Sequence, residues 1–189
     1  MFKRKGYRVF ENSERIQYLH PDLVCFTGGE DVTPALYNEK ALSVTHSNYN
    51  RDNQEQISYE QYKDINKVGI CRGGQFLNVM NGGKMWQHVE GHATGQDHIV
   101  HDLVYGQEVL CTSTHHQMMI PAVTGEVEVL GIADKRSDTY ISSIARDAPT
   151  YDMEVVWYPT SRSLCFQPHP EYSNKDCEAY FFDLVNLLF

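Results

Sequence analysis

The stretch Lys67-Val68-Gly69-Ile70-Cys71-Arg72-Gly73-Gly74-Gln75-Phe76-Leu77-Asn78-Val79-Met80 decides the fold. Lys67 to Cys71 reads as an apolar strand, and Gly74 to Met80 as an amphipathic helix, with Cys71 at the changeover. Gly69 stands two positions before Cys71 and Gly73 two after. A strand that turns this sharply into a helix leaves no space for Cβ atoms at the flanking positions. It also forces the apical residue into a strained backbone conformation that aims its side chain out of the turn. The helix N-terminus beneath the thiol favours its ionised form. This G-x-C-x-G pattern is the cysteine version of the nucleophile elbow. A cysteine that merely fills a core would need none of these glycines.

Outward from the elbow, short runs rich in β-branched and aromatic residues recur at Tyr7 to Phe10, Leu23 to Thr27, Glu108 to Thr112, Glu126 to Ile132, Tyr140 to Ala145, Met153 to Tyr158 and Ser163 to Gln167. Each reads as a strand. Helices are expected from Ser13 to about Leu19, from an Asp52 cap to about Asn66 with Ile57, Tyr59, Tyr62 and Ile65 as its apolar stripe, and from Lys175 to Leu188. Strands alternate with helices early and follow one another later. That order predicts an α/β fold with a largely parallel central sheet and an antiparallel extension. No repeat or linker interrupts the 189 residues, so residues 1–189 read as a single domain.

Composition removes several function classes. A net charge of −9, with 16 basic residues scattered along the chain, argues against nucleic acid as a partner. No run of about 18 apolar residues exists to cross a membrane. The basic start Met1 to Lys5 is followed by no apolar segment of a secretory signal. The 5 cysteines are odd in number and form no CxxC pair, which suits reduced thiols in the cytoplasm.

A thiolate nucleophile needs a base to carry its proton and a carboxylate to orient that base. The segment Leu164-Cys165-Phe166-Gln167-Pro168-His169-Pro170-Glu171 offers both. Prolines on either side hold His169 in an extended chain, where Glu171, two residues on, projects to the same side. Cys71, His169 and Glu171 are therefore the candidate catalytic residues. A polar surface loop is the alternative reading of this segment alone.

With the elbow and His169-Pro-Glu171 in hand, the chain resembles the class I glutamine amidotransferase family, and more narrowly its γ-glutamyl-γ-aminobutyrate hydrolase branch, peptidase family C26. Thr27-Gly-Gly-Glu-Asp-Val-Thr-Pro-Ala-Leu-Tyr37 is similar to the branch's GG-x-D-V-x-P-x-x-Y signature. Arg51-Asp52 with Glu55 resembles its R-D-x-x-E, and Ser113-Thr-His-His-Gln117 its S-x-H-H-Q. The likeness runs from about Gly6 to Tyr172. It implies a three-layer, flavodoxin-like fold and an amidohydrolase that splits a γ-glutamyl amide (glutamine or a γ-glutamyl amine) through a Cys71 thioester. It also implies an oxyanion hole from the backbone N–H of Arg72 and of Gly29, with Glu30 the rival for the second, and a glutamyl pocket lined by Gln75 and His115. The alternatives are a glutaminase subunit that passes ammonia to a synthase partner, and a silent binding protein on the same fold.

Two departures stand out: Pro168 replaces the aromatic residue usual before the histidine, and the family's first strand is missing, its slot either filled by another segment or absent. No cofactor and no metal are implied. His88, His92, His98 and His101, with Asp97 and Asp102, follow no standard zinc spacing and read as a solvated or pocket-edge loop. Cys25, Cys111, Cys165, Cys177, Trp86 and Trp157 read as packing residues, and Asp31 as a turn residue.

Overall fold

The computed structural model describes residues 1–11, 20–172 and 174–189. Among the described residues there are eleven strands: β1 (Leu23–Phe26), β2 (Asn66–Ile70), β3 (Lys84–Trp86), β4 (His88–Val89), β5 (His98–Asp102), β6 (Gln107–Cys111), β7 (Met118–Ile120), β8 (Glu128–Ala133), β9 (Tyr140–Ile141), β10 (Met153–Tyr158) and β11 (Ser163–Phe166). Three α-helices join them: α1 (Tyr49–Gln61), α2 (Arg72–Met80) and α3 (Lys175–Leu188).

The main sheet has seven strands in the order β1-β2-β11-β10-β8-β5-β6. β1, β2 and β11 run parallel, and β10, β8, β5 and β6 continue the sheet antiparallel. The result is a mixed α/β fold of the expected flavodoxin-like kind, a parallel core with an antiparallel extension. Alternation along β11 shows the layering. Leu164 and Phe166 pack with Phe181 and Leu184 of α3, whereas Cys165 packs with Phe76 and Leu77 of α2. With period-2 alternation, these are opposite faces of one sheet, each sealed by a helix. No described helix is long and apolar enough to cross a membrane.

Most expected elements are present, and the exceptions have physical causes. Tyr7 to Phe10 is not a strand: no described strand lies beyond β1, and Phe10 stays 52% exposed. Instead Phe2 packs its ring on Phe181 and Phe182 of α3. Among the described residues, therefore, the slot of the family's first strand is not filled by another strand. The helix expected from Ser13 to Leu19 lies outside the described residues. Helix α1 begins earlier than expected because its cap is Asn48, which accepts a hydrogen bond from the Arg51 N–H at 3.2 Å. Asp52 lies inside the helix, fully buried, and Ile57 of the expected apolar stripe is 54% exposed. The Tyr140 strand stops at Ile141 and pairs with β4 in a small separate sheet. Asn174 caps α3 by accepting from Asp176 and Cys177 N–H.

Candidate active site

Cys71 ends β2 and caps α2 with φ 50° and ψ −114°, a conformation that costs a non-glycine residue about 1–3 kcal/mol. Its own N–H donates to the Phe166 carbonyl at 2.8 Å, which ties the bend to β11. The glycines are required for the reason the sequence suggests. A Cβ on Gly69 would collide with the Gly73 carbonyl, and one on Gly73 with the Phe26 carbonyl. Gly74 faces Phe166 N, where a Cβ would sit 2.9 Å away. Strand, turn and neighbouring strands are thus in backbone contact.

His169 follows β11, and the structure brings it to the same place. A Cβ built on Gly28 would lie 2.8 Å from His169 Cε1 and 3.7 Å from Cys71 Cβ. Gly28 thus sits against the side chains of both His169 and Cys71. On the other side of the ring, His169 Nδ1 lies 2.7 Å from Glu171 Oε1. Burial works to lower the His169 pKa, but the hydrogen bonds and charges of Cys71 and Glu171 win and push it up to about 10. At neutral pH the imidazole is therefore a cation beside the Cys71 sulfur and the Glu171 carboxylate. Among the remaining cysteines, burial drives the Cys25 thiol up to about 12 and raises that of Cys165, while a hydrogen bond with Cys177 and burial raise that of Cys111. They remain packed, protonated thiols.

Two residues that sequence reasoning missed hold His169. Thr112, just past β6, accepts the His169 N–H at 2.6 Å. Tyr172 stacks on the imidazole at 4.6 Å with its plane tilted by 7°. Thr112 immediately precedes the Ser113 to Gln117 motif, and that adjacency was the available signal.

The role of Arg51, Asp52 and Glu55 becomes physical here. Arg51 donates to the carbonyls of Thr27 (2.8 Å) and Gly28 (3.0 Å), and pairs with Glu30 (2.9 Å) and Glu55 (3.1 Å). Its guanidinium occupies the space into which a Cβ on Gly29 would point, and Gly29 has φ 149°. Arg72, 1% exposed, pairs with both Asp52 and Glu55, and burial brings its pKa to about 10. Asp52 also accepts from Thr33 N–H at 3.0 Å. One arginine thus fixes the Gly28-Gly29 turn, another fixes the start of α2, and Glu55 joins them. The Arg72 N–H lies in the first turn of α2, where backbone donors have no intrahelical partner.

The remaining expected residues fall elsewhere. Gln75 is buried and donates to Gln167 Oε1 at 3.3 Å. The His115 ring is buried beside His92 and His98, whereas its neighbour His116 is part-exposed and bonded to Asp31 at 2.9 Å. Asp31 also accepts from His46 N–H at 2.8 Å, which anchors the turn.

The expected solvated loop of histidines is not one. His98 to Asp102 forms β5, His88 pairs in β4, and His92 and Asp102 are buried. Asp102 caps the β5–β6 turn through Val104 N–H, Asp97 accepts from Asn174, and His101 lies near Glu108. Polar side chains that converge on partners contributed by distant strands can be buried, and their spacing in sequence does not reveal this.

Comparison with known proteins agrees with this architecture. A glutamine amidotransferase-like protein of Rickettsia prowazekii is 36% identical over 91 residues, covering 46% of this chain and 30% of that one. A glutamine amidotransferase-like protein of Lactococcus lactis is 33% identical over 96 residues, covering 46% of this chain and 51% of the relative. The matched part of the chain thus spans 30% of the length of the first relative and 51% of the second. Among solved structures, a glutamine amidotransferase of Thermotoga maritima superimposes with a TM-score of 0.54 at 14% identity, over 97% of this chain and 70% of that chain. PurLQS of the same organism gives 0.52 at 15% identity, over 89% and 80%. At these identities the structural likeness establishes the fold. Residues 12–134, which include the elbow but end before His169, match the Peptidase C26 family, and the chain belongs to that family.

Proposed function

We propose that the chain is a cysteine amidohydrolase that cleaves a γ-glutamyl amide bond, with Cys71, His169 and Glu171 as its catalytic residues. One observation carries the reading: a cysteine in a strained, positive-φ turn at a helix N-terminus, facing Gly28 together with an imidazole that is hydrogen-bonded to Glu171. Family membership and the likeness to glutamine amidotransferase-like proteins support the substrate class.

In this mechanism the Cys71 thiolate attacks the γ-carbonyl carbon, forming the C–S bond and placing charge on the carbonyl oxygen. The N–H groups of Arg72 and Gly29 receive that oxyanion. As the C–N bond breaks, the His169 imidazolium gives its proton to the leaving nitrogen, and ammonia or an amine departs. His169, now neutral, takes a proton from the attacking water. The thioester C–S bond breaks, and glutamate and the thiolate are released. Gln75 and His115 belong to the glutamyl side of the site in this reading. A nucleophile that must stay unoxidised suits a reducing, cytoplasmic setting.

The test is covalent trapping. A glutamine-analogue electrophile should label Cys71 alone among the 5 cysteines, as mapped by mass spectrometry. Labelling at any other cysteine, or labelling that persists in Cys71→Ala, would overturn the assignment. With unmodified substrates, turnover of γ-glutamyl amines by the isolated chain supports a free-standing hydrolase. Glutamine turnover that appears only with an added synthase replaces it with the ammonia-delivering subunit.

A further inference from the structure

Beside the candidate active site lies a second polar centre, of which the chemistry above uses only His115. Glu154, in β10, is completely buried. Three imidazole nitrogens approach a single one of its oxygens, Oε1: His92 Nδ1 at 3.3 Å, His98 Nε2 at 3.3 Å and His115 Nε2 at 3.4 Å. They come from four separate places in the chain: the turn after β4, the start of β5, the loop before β7, and β10. His92 and His115 are 4% and 3% exposed.

These contacts are not hydrogen bonds. Both Glu154 oxygens, His92 Nδ1, His98 Nε2 and His115 Nε2 have no hydrogen-bond partner among the described residues. A buried carboxylate and buried imidazoles without hydrogen bonds are costly, because desolvation of a charged group costs several kcal/mol. A bound cation would compensate, as would an ion pair with a protonated imidazole. The far sides of two rings are, by contrast, well anchored. His92 Nε2 lies 2.8 Å from Asp152 Oδ2, and His115 Nδ1 lies 3.0 Å from the Gln117 carbonyl. Asp152 is itself held by Ser137 N–H and Oγ at 2.6 Å and by the Tyr140 hydroxyl. Rings anchored by one nitrogen to a carboxylate or carbonyl, with the other nitrogen left bare, are the usual arrangement of metal-ligating histidines.

The spacing fits as well. Metal bonds of about 2.0–2.1 Å place neighbouring ligand atoms of a tetrahedral site roughly 3.3 Å apart. The ligand atoms of His92, His98 and Glu154 all lie within 4.8 Å of one another. We propose that His92, His98 and Glu154 bind a divalent transition-metal ion of the zinc class. Imidazole and carboxylate donors favour zinc over calcium or magnesium, which take oxygen shells. The site is structural: it clamps the segment from His92 to His98 onto β10. Through the Gln167 N–H, which donates to the Glu154 carbonyl at 2.8 Å, it steadies the strand end that carries His169.

The experiment uses the full chain in a Cys71→Ala background, so that the candidate nucleophile does not itself hold metal. Chelator-stripped protein is titrated with Zn²⁺, with Co²⁺ as a spectroscopic probe. Stoichiometric Zn²⁺ uptake is expected, with the Co²⁺ visible spectrum of a four-coordinate nitrogen–oxygen site. Tm should rise by roughly 5–10 °C at a hundredfold excess over Kd. His98→Ala, at the most exposed of the ligands, should weaken binding on the order of 100-fold or more while circular dichroism stays native. If that variant fails to fold, His98→Gln provides the same comparison. A folded parent that takes up no Zn²⁺, or variants that bind as tightly as the parent, would overturn the site and leave a buried histidine–carboxylate ion-pair network.

Discussion

Two polar centres sit at the same end of the sheet and are built on opposite principles. Cys71, His169 and Glu171 come from two short segments, and backbone geometry positions them. The sharp bend supplies φ 50°, two prolines flank the histidine, and Glu171 is two residues away. His92, His98, His115 and Glu154 come from four segments, and only the pairing of β5, β8 and β10 brings them near one another. The first centre is strained and hydrogen-bonded. The second is buried, and its facing atoms lack hydrogen bonds. Constraints on the backbone leave marks in sequence, since only glycine and proline satisfy them. Convergence of side chains leaves none.

The largest expected effect breaks the first centre alone. Cys71→Ala should reduce γ-glutamyl amide cleavage by at least about 10⁴-fold, because without the thiol no thioester forms. Cys71→Gly should be equally inactive yet more stable than Cys71→Ala by about 1 kcal/mol, since glycine accepts φ 50° without strain. Equal stabilities in urea titrations would show that the bend carries no strain. Neither substitution should alter zinc uptake at the second centre.

Gly73→Ala should act on the fold itself. The new Cβ meets the Phe26 carbonyl, a backbone atom of a paired strand that has nowhere to move. A loss of roughly 3 kcal/mol or more is expected, near the upper end for overpacking, and a denaturant midpoint within error of the parent would contradict it. This is the part of the molecule most legible from sequence, because Gly69 and Gly73 are steric requirements. Helix α3 was equally legible, and it spans Lys175–Leu188 as expected. Asp52 was misread for the opposite reason. Its position suggested a cap, but pairing with buried Arg72 draws it inside α1, and Asn48 takes the capping role. Glu154 was invisible: within the apolar run Met153 to Tyr158 it looks like a strand's solvent-facing residue, yet it is fully buried. Arg72 was read for its N–H alone, while its side chain joins Asp52 to Glu55.

The pH dependence sharpens the comparison further. The folded-state pKa of His169, about 10, lies above the ordinary 6.5, so its contribution to stability is complete below pH 6.5 and fades as pH rises through 10. Activity that needs the imidazolium should fall over the same alkaline range. In Glu171→Gln the charge is gone and only a neutral acceptor faces Nδ1, so the pKa drops and the alkaline limb of kcat/KM moves to lower pH. The rate at neutral pH should fall by roughly 10- to 100-fold. A variant whose alkaline limb stays in place would remove Glu171 from its orienting role.

The smallest expected effect concerns the segment that touches both centres. Thr112 accepts the His169 N–H at 2.6 Å, and the next residue, Ser113, donates its hydroxyl to the His92 carbonyl. Upstream, Cys111 stands opposite His98 in the β5–β6 register. Thr112→Val keeps the shape and removes two hydrogen bonds to the His169 backbone, the one accepted from N–H at 2.6 Å and a longer one donated to the carbonyl at 3.4 Å. The short one is worth about 1 kcal/mol, or roughly fivefold in rate if all of it positions His169. Ser113→Ala removes the hydrogen bond to the other side. If the two centres are separate devices sharing a support, Thr112→Val lowers kcat with Zn²⁺ affinity unchanged, and Ser113→Ala does the reverse. If each substitution moves both readouts, the support is itself the coupling element, and occupancy of the histidine–carboxylate centre would then tune the reactivity of Cys71.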